Sequence, residues 1–439
     1  MRGRNLFLVA LDWTRPKDPP LSLGHASIIS NLIAHDIPVH GASWAVNSPQ
    51  FNADEVTSHI MAQATPSMDL ALGAFVWNEH AIQKIIQDLR NKKFKGNIIL
   101  GGPQISYVKN DTDLFKYYPQ ADVFIRGYGE EALAQIYKAK TEKPPIRGVT
   151  YQGEPGLGGS ANVNLDELPS PYLTGLIKPQ SFIRWETQRG CPFRCSFCQH
   201  RESDATMTRR NLPLSRVLEE AKWITDNHVI NDVAVLDPTF NSGPNHLAIL
   251  DVLAAGKYKG KIALQCRAEM VRPAFLEKVE ALNRTAHVVL EFGLQTTNKE
   301  ETIIIQRPNN MKKIREVLEK TKELGIETEL SLIFGLPHQT VASFQESISF
   351  CKEMDVSRIY AFPLMLLRGT PLHEEKDKLG LVESDEINVP GIDRIQRDIP
   401  HVISSPSFSR KDWEKMAEIA DGLSVYNERI PKDGWVQHS

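Results

Sequence analysis

The chain has 439 residues, 41% of them apolar and 24% charged, the balance of an ordinary globular protein. A net charge of −3 gives no broad basic field for nucleic acid or an anionic membrane, and the length predicts two or three domains. No apolar run reaches the roughly 18 residues of a membrane span, and the opening run MRGRNLFLVALDW is too short for a signal-peptide core, so a cytoplasmic location is expected.

Residues 1–140 alternate strand and helix signals. NLFLVAL, IPVHGASWAV, MDLALGAFVW, NIILGG and ADVFIRG read as buried strands. SIISNLIAHD, a stretch from near Asn52, IQKIIQDLRNKK and DLFKYY read as helices between them. Apolar strands of this kind, separated by helices, predict a doubly wound, Rossmann-like α/β domain with a parallel sheet covered on both faces. Its ligands belong at the carboxyl ends of the strands. Residues 141–180 carry Pro144, Pro145, Pro155, Gly156, Gly158, Gly159, Pro169 and Pro171 and show little periodicity, which predicts a linker.

The pattern resumes at Phe182. Strands are predicted at FIRWETQ, VAVLD, KIALQCR, HVVLEFGL, ETELSLIFGL and RIYAFPLMLL, with helices such as SRVLEEAKWITDNH, MKKIREVLEKTKELG and VASFQESISFCKEM between them. Six βα units over residues 181–380 predict a partial (β/α)6 barrel, whose chemistry belongs at the carboxyl ends of its strands. Residues 381–439 read as a short C-terminal region with one helix near DWEKMAEIADGL.

Three of the five cysteines, Cys191, Cys195 and Cys198, fall within the segment RGCPFRCSFCQH directly after the first barrel strand. Clustered thiols in a reducing compartment point to a metal. Thiolate suits iron–sulfur clusters, zinc and Cu(I), and three thiolates leave one iron of a four-iron cluster open for a ligand. His200 could instead complete a zinc site, and three unrelated buried cysteines are the remaining alternative.

The Cys-x3-Cys-x2-Cys spacing, with Phe197 before the last cysteine and six βα units behind it, resembles the signature of the radical S-adenosylmethionine (SAM) superfamily. The resemblance implies a [4Fe–4S] cluster on Cys191, Cys195 and Cys198. SAM would chelate the open iron and be cleaved to a 5′-deoxyadenosyl radical. It places Asp237 and Asn241 (LDPTFN), Arg267 and Glu269 (QCRAEM), Glu291 and Gln295 (LEFGLQT), Phe197 and Gly335 (FGLP) at the SAM pocket. An internal Arg267–Glu291 ion pair is the structural alternative. A buried charge in an apolar strand needs such a partner or a ligand. Cys351 and Tyr360 are candidate hydrogen donors, while Cys266 should face the helices if Arg267 faces the barrel interior.

The upstream domain resembles the cobalamin-binding domain fused to many radical SAM enzymes. The residues that carry the likeness are Trp13 and Gly24 after strand one, Val76 and Trp77 after strand three, Gly101, Gly102 and Pro103 after strand four, and Gly127, Gly129 and Glu130 after strand five. The Asp-x-His-x-x-Gly motif that supplies a histidine to cobalt is absent, and His25 lies on the following helix. The resemblance implies cobalamin-dependent methyl transfer to an unactivated carbon in natural-product biosynthesis. The substrate would be a small molecule or peptide, the reductant a flavodoxin or ferredoxin, with no nucleic acid or membrane partner. Two alternatives remain: a cobalamin-independent epimerase, cyclase or related enzyme with a degenerate first domain, and a non-catalytic metal-binding protein. Methylthiotransferases and SPASM-type maturases need further cysteines, and Cys266 and Cys351 stand alone.

Overall fold

In a computed structural model, residues 3–15, 17–200, 209–385 and 399–429 are described. The chain divides into two compact units, the first ending at Lys178 and the second beginning at Pro179.

The first unit has strands β1 (Asn5–Asp12), β2 (Val39–Ala45), β3 (Met68–Gly73), β4 (Ile98–Gly101), β5 (Val123–Ile125) and β6 (Val149–Tyr151). Its helices are α1 (Leu23–Ala34), α2 (Ala53–Gln63), α3 (Glu79–Asn91), α4 (Pro103–Ser106), α5 (Asp111–Tyr117) and α6 (Gly129–Lys138). The sheet order is β2-β1-β3-β4-β5-β6. The first five strands are parallel, as their apolar sequences require. Alternation along β1 feeds two cores. Phe7, Val9 and Leu11 pack with Val56, Ile60 and Ile82 of α2 and α3, whereas Leu6 and Leu8 pack with Ile29, Leu133 and Ile136 of α1 and α6.

The stretch 141–180 corrects the linker expectation. Val149–Tyr151 is an antiparallel edge strand on β5, and Val149, Tyr151 and Ala161 are core residues. Three residues are too short to display a period, so the strand is invisible in the sequence. At Gly148 (φ +80°) a Cβ would lie 2.0 Å from the Ala161 nitrogen, so that glycine serves close packing.

In the second unit, β7 (Phe182–Trp185) is followed by an antiparallel hairpin of β8 (Gln188–Gly190) and β9 (Arg209–Asn211). Then come α7 (Leu214–Asp226), β10 (Asp232–Val235), α8 (His246–Ala255), β11 (Lys261–Cys266), α9 (Pro273–Asn283) and β12 (His287–Gln295). α10 (Lys299–Ile304), α11 (Met311–Glu323), β13 (Glu327–Phe334), α12 (Val341–Glu353), β14 (Arg358–Pro363) and α13 (Pro371–Glu374) complete the repeat. The parallel sheet runs β14-β13-β12-β11-β10-β7, in sequential order, with edges at β7 and β14: an open six-stranded barrel segment.

The C-terminal region is more than a helical tail. β15 (Val382–Ser384) pairs antiparallel with β16 (His401–Ser404), and α14 (Arg410–Asp421) and α15 (Leu423–Asn427) follow. Asn427 covers edge strand β14: its Oδ1 accepts from the Ile359 N–H at 2.8 Å and its Nδ2 donates to the Ile359 carbonyl at 2.9 Å. Trp413 packs on Phe334 with ring centroids 5.7 Å apart. An unpaired edge exposes backbone groups that must find partners, and this region supplies them.

Candidate metal and cofactor site

The cysteine loop leaves the sheet through a turn pinned by Asp237. That carboxylate, fully buried after β10, accepts from the Thr187 N–H (2.8 Å), the Gln188 N–H (3.1 Å) and the Thr187 hydroxyl. Burial pushes Asp237 up to about 7, against the pull of those three donors. Asp237 therefore shapes the entrance to the loop, its oxygens engaged by Thr187 and Gln188. Asn241 is spent on backbone: its Nδ2 donates to the Arg267 carbonyl (2.9 Å) and its Oδ1 accepts from the Arg267 N–H (3.0 Å).

Within the loop, Ser196 donates its N–H to the Ile305 carbonyl (2.9 Å) and its hydroxyl to the Ile304 carbonyl (3.2 Å), the unsatisfied acceptors at the end of α10. The Ser196 carbonyl accepts from the Leu372 N–H, and Gln199 Nε2 donates to the Arg368 carbonyl (2.8 Å). The turn Arg368–Leu372 is thus a strut for the loop. Arg267 lies over the Phe193 ring, 3.9 Å from its centroid. Its guanidinium pairs with Glu269 (3.3 Å) and donates to the Pro308 carbonyl (2.9 Å), whereas the alternative to a SAM-pocket role pairs it with Glu291.

Cys195 is buried, and Cys191 and Cys198 are half-buried beside the half-buried ring of Phe197. Cys191 Sγ lies 3.2 Å from Thr239 Oγ1, and Cys198 Sγ accepts from the His200 N–H at 3.4 Å. Burial, together with the nearby Cys195 and Cys191, pushes the Cys198 thiol up to about 11. Three buried polar atoms nearby have no hydrogen-bond partner: Glu269 Oε1, Arg307 Nε and Asn309 Oδ1. Arg307 and Asn309 escape a sequence reading because they follow a short helix, with no strand end to mark them. Among the described residues, no three His, Cys, Asp or Glu side chains converge as ligands of a single metal ion.

The remaining SAM-pocket candidates divide. Glu291 lies mid-strand on β12 between Gln265 of β11 and Glu329 of β13; Gln265 is exposed, Glu291 half-buried and Glu329 buried. Gln295 ends β12 at a register shift with φ +69°. Gly335 (φ +87°) donates its N–H to Gln339 Oε1 (2.7 Å), and a Cβ there would lie 3.2 Å from the Val402 carbonyl oxygen. This turn packs closely against the C-terminal region. Cys351 lies on the buried face of α12 with Phe344 and Ile348, its thiol pushed up to about 12 by burial. That is a packing position, which corrects its reading as a hydrogen donor. Cys266 is buried and likewise raised. Tyr360 is buried on β14 opposite Ser331, stacked on Phe362.

In the first unit, Gly101 ends β4, and Trp13, Val76, Trp77, Gly102, Pro103, Gly127 and Gly129 lie just beyond the carboxyl ends of strands. The chain itself fills much of that edge. At Gly102 (φ +89°) a Cβ would lie 2.6 Å from the Ala74 carbonyl oxygen, and at Gly127 (φ +83°) 2.6 Å from that of Ala161. Asn78 donates to the Leu11 and Gly73 carbonyls. Glu130, expected at cobalamin, is buried and accepts from the Ser27 hydroxyl (2.9 Å), tying α6 to α1. His25 is buried with its Nδ1 2.7 Å from Ser22 Oγ. Trp77, stacked on Phe75 at 4.5 Å, keeps a buried Nε1–H with no partner, and Gly24 faces open space.

Residues 185–351 match the Radical SAM superfamily. The cobalamin-dependent radical SAM methyltransferase TokK of Streptomyces tokunonensis is 25% identical over 99% of this chain, which spans 64% of TokK. The 2-(S-pantetheinyl)-carbapenam-3-carboxylate methyltransferase of Streptantibioticus cattleyicolor is 26% identical over 94% of this chain, which spans 63% of that relative. The solved structure of the radical SAM methyltransferase TsrM from Kitasatospora setae, with cobalamin and a [4Fe–4S] cluster bound, superposes with a TM-score of 0.73 at 14% identity, covering 100% of this chain and 93% of TsrM. The chain is therefore similar to the radical SAM superfamily over residues 185–351 and shares its fold with TsrM.

Proposed function

We propose that this chain is a cobalamin-dependent radical SAM enzyme that transfers a methyl group to an unactivated carbon of a small natural-product substrate. One observation carries the reading: Cys191, Cys195 and Cys198 share one anchored loop at the carboxyl edge of a six-stranded parallel sheet. The donor set fits a cluster. Cys191 and Cys195 lie close enough to influence the charge of Cys198, and thiolate is the ligand type that suits iron and sulfide. When bound, cluster and SAM supply a 5′-deoxyadenosyl radical, and cobalamin supplies a methyl carrier.

The chain's own residues hold and orient these groups. Ser196, Gln199 and Phe193 fix the cysteine loop, and exposed Gln265 beside half-buried Glu291 would offer polar contacts to a substrate. Glu269 Oε1 and Asn309 Oδ1 are buried acceptors suited to an ammonium or hydroxyl donor, as SAM offers. In the first unit the free Trp77 Nε1–H and the open space at Gly24 are the features that suit cobalamin, and no histidine of the strand-one loop is available to cobalt. Among the described residues no helix is long and apolar enough to cross a membrane; a cytoplasmic enzyme reduced by a flavodoxin or ferredoxin fits this reading.

The test is anaerobic reconstitution with iron, sulfide and hydroxocobalamin, followed by visible spectroscopy and assay of SAM cleavage. Retained corrin absorbance and 5′-deoxyadenosine formation are expected. A chain that cleaves SAM but retains no corrin would remove the methylation branch. The second reading, a cobalamin-independent radical enzyme, is favoured by the engagement of Gly102, Gly127 and Glu130 with the chain itself. Solvent deuterium in a product without an added methyl group would select it.

A further inference from the structure

Arg307 follows α10, in the segment whose carbonyls hold Ser196. Its side chain is buried, with 8% of the residue exposed. One terminal nitrogen donates to the Gly293 carbonyl, and the other directs its N–H at Cys195 Sγ, 3.9 Å away. Nε has no hydrogen-bond partner. A second guanidinium, Arg267, is close enough for the two cations to disfavour one another. Arg267 is occupied by Glu269, Phe193 and the Pro308 carbonyl. Arg307 thus places a cationic N–H toward a cysteine sulfur.

A buried guanidinium with an unsatisfied N–H is costly unless an anion compensates it. Three thiolates around a four-iron core in its resting state carry a net single negative charge, and one-electron reduction doubles it. A fixed cation and an N–H donor beside a ligand sulfur stabilise the more negative, reduced form more than the oxidised one. Net charge and hydrogen bonds to sulfur are among the factors that set cluster potentials.

We propose that Arg307 is a positioning residue that sets the reduction potential of a cluster on the cysteine loop, raising it through its buried charge and the N–H directed at Cys195. This rests on the cluster reading above. The test uses the full chain, reconstituted anaerobically, assayed for iron and sulfide and titrated with dithionite while the reduced cluster's paramagnetic signal is followed. In Arg307→Gln the reduction equilibrium constant should fall at least tenfold, a midpoint 59 mV lower for a one-electron couple. Arg307→Lys, whose compact ammonium lacks the planar fork, should fall by less but measurably. The wild-type midpoint in iron-loaded Arg307→Gln overturns the proposal. If that variant holds no iron, Arg307→Lys decides by the same criterion, and loss of iron from both makes Arg307 a structural support and overturns it too. Wild-type protein that holds no iron sinks the cluster reading itself, so the two failures are distinguishable.

Discussion

Both units place their loops at the carboxyl edge of a parallel sheet, yet the two edges are finished differently. In the first unit the chain satisfies most of itself: Asn78 bridges the ends of β1 and β3, Ser106 Oγ accepts from the Gly127 N–H, and Gly102 lies against the Ala74 carbonyl. In the second unit, three thiols share the edge with buried, unpartnered atoms of Glu269, Arg307 and Asn309. Buried polar atoms without partners are costly, so the second edge is the one whose stability should depend on a bound group. The first edge can keep its fold with or without a ligand, and Trp77 Nε1 is the buried atom there that asks for one.

This contrast can be broken at several points. The largest effect belongs to Cys195→Ala, which should lower reconstituted iron from about four per chain to near none and abolish SAM cleavage, while hardly changing corrin retention by the first unit. Loss of corrin together with iron would show that the two edges are not independent. Next is Gly102→Ala, which forces a Cβ into the Ala74 carbonyl at a positive φ and should cost about 3 kcal/mol in thermal or denaturant unfolding, whether or not cobalamin is present.

His401 supplies a pH-dependent case. Burial lowers it from 6.5 to about 4, so the unfolded chain binds a proton that the folded chain excludes. Its contribution is fully present above pH 6.5 and is lost as pH falls to 4, a total of about 3 kcal/mol. His401→Phe should flatten the stability slope in that window relative to wild type, and parallel slopes would show that His401 does not titrate there. Asn241→Ala strips two backbone partners from Arg267 and should cost about 2 kcal/mol, with weaker iron retention as the sign that the second edge was loosened. The smallest effect is expected at Gly24→Ala, where the added methyl meets open space: stability within about 0.5 kcal/mol of wild type, so any loss of corrin reports contact with the cofactor.

The sequence alone was sufficient for the βα alternation, the parallel sheets and the position of the cysteine loop, because these follow from runs of apolar residues and from three thiols in one short segment. It also placed Glu291 and Gln295 on one strand correctly, since strand periodicity is local. It did not reveal β6, the β8–β9 hairpin that closes the cysteine loop, or the covering of β14 by Asn427, each a pairing between short segments far apart in the chain. Nor could it say that Asp237 is engaged by Thr187 and Gln188 and Asn241 by the Arg267 backbone, that Cys351 packs in a core, or that Arg307 reaches Cys195 across 112 positions. A residue type states what chemistry a side chain offers. Which partner it meets depends on burial and on neighbours that only the folded chain brings within hydrogen-bond range.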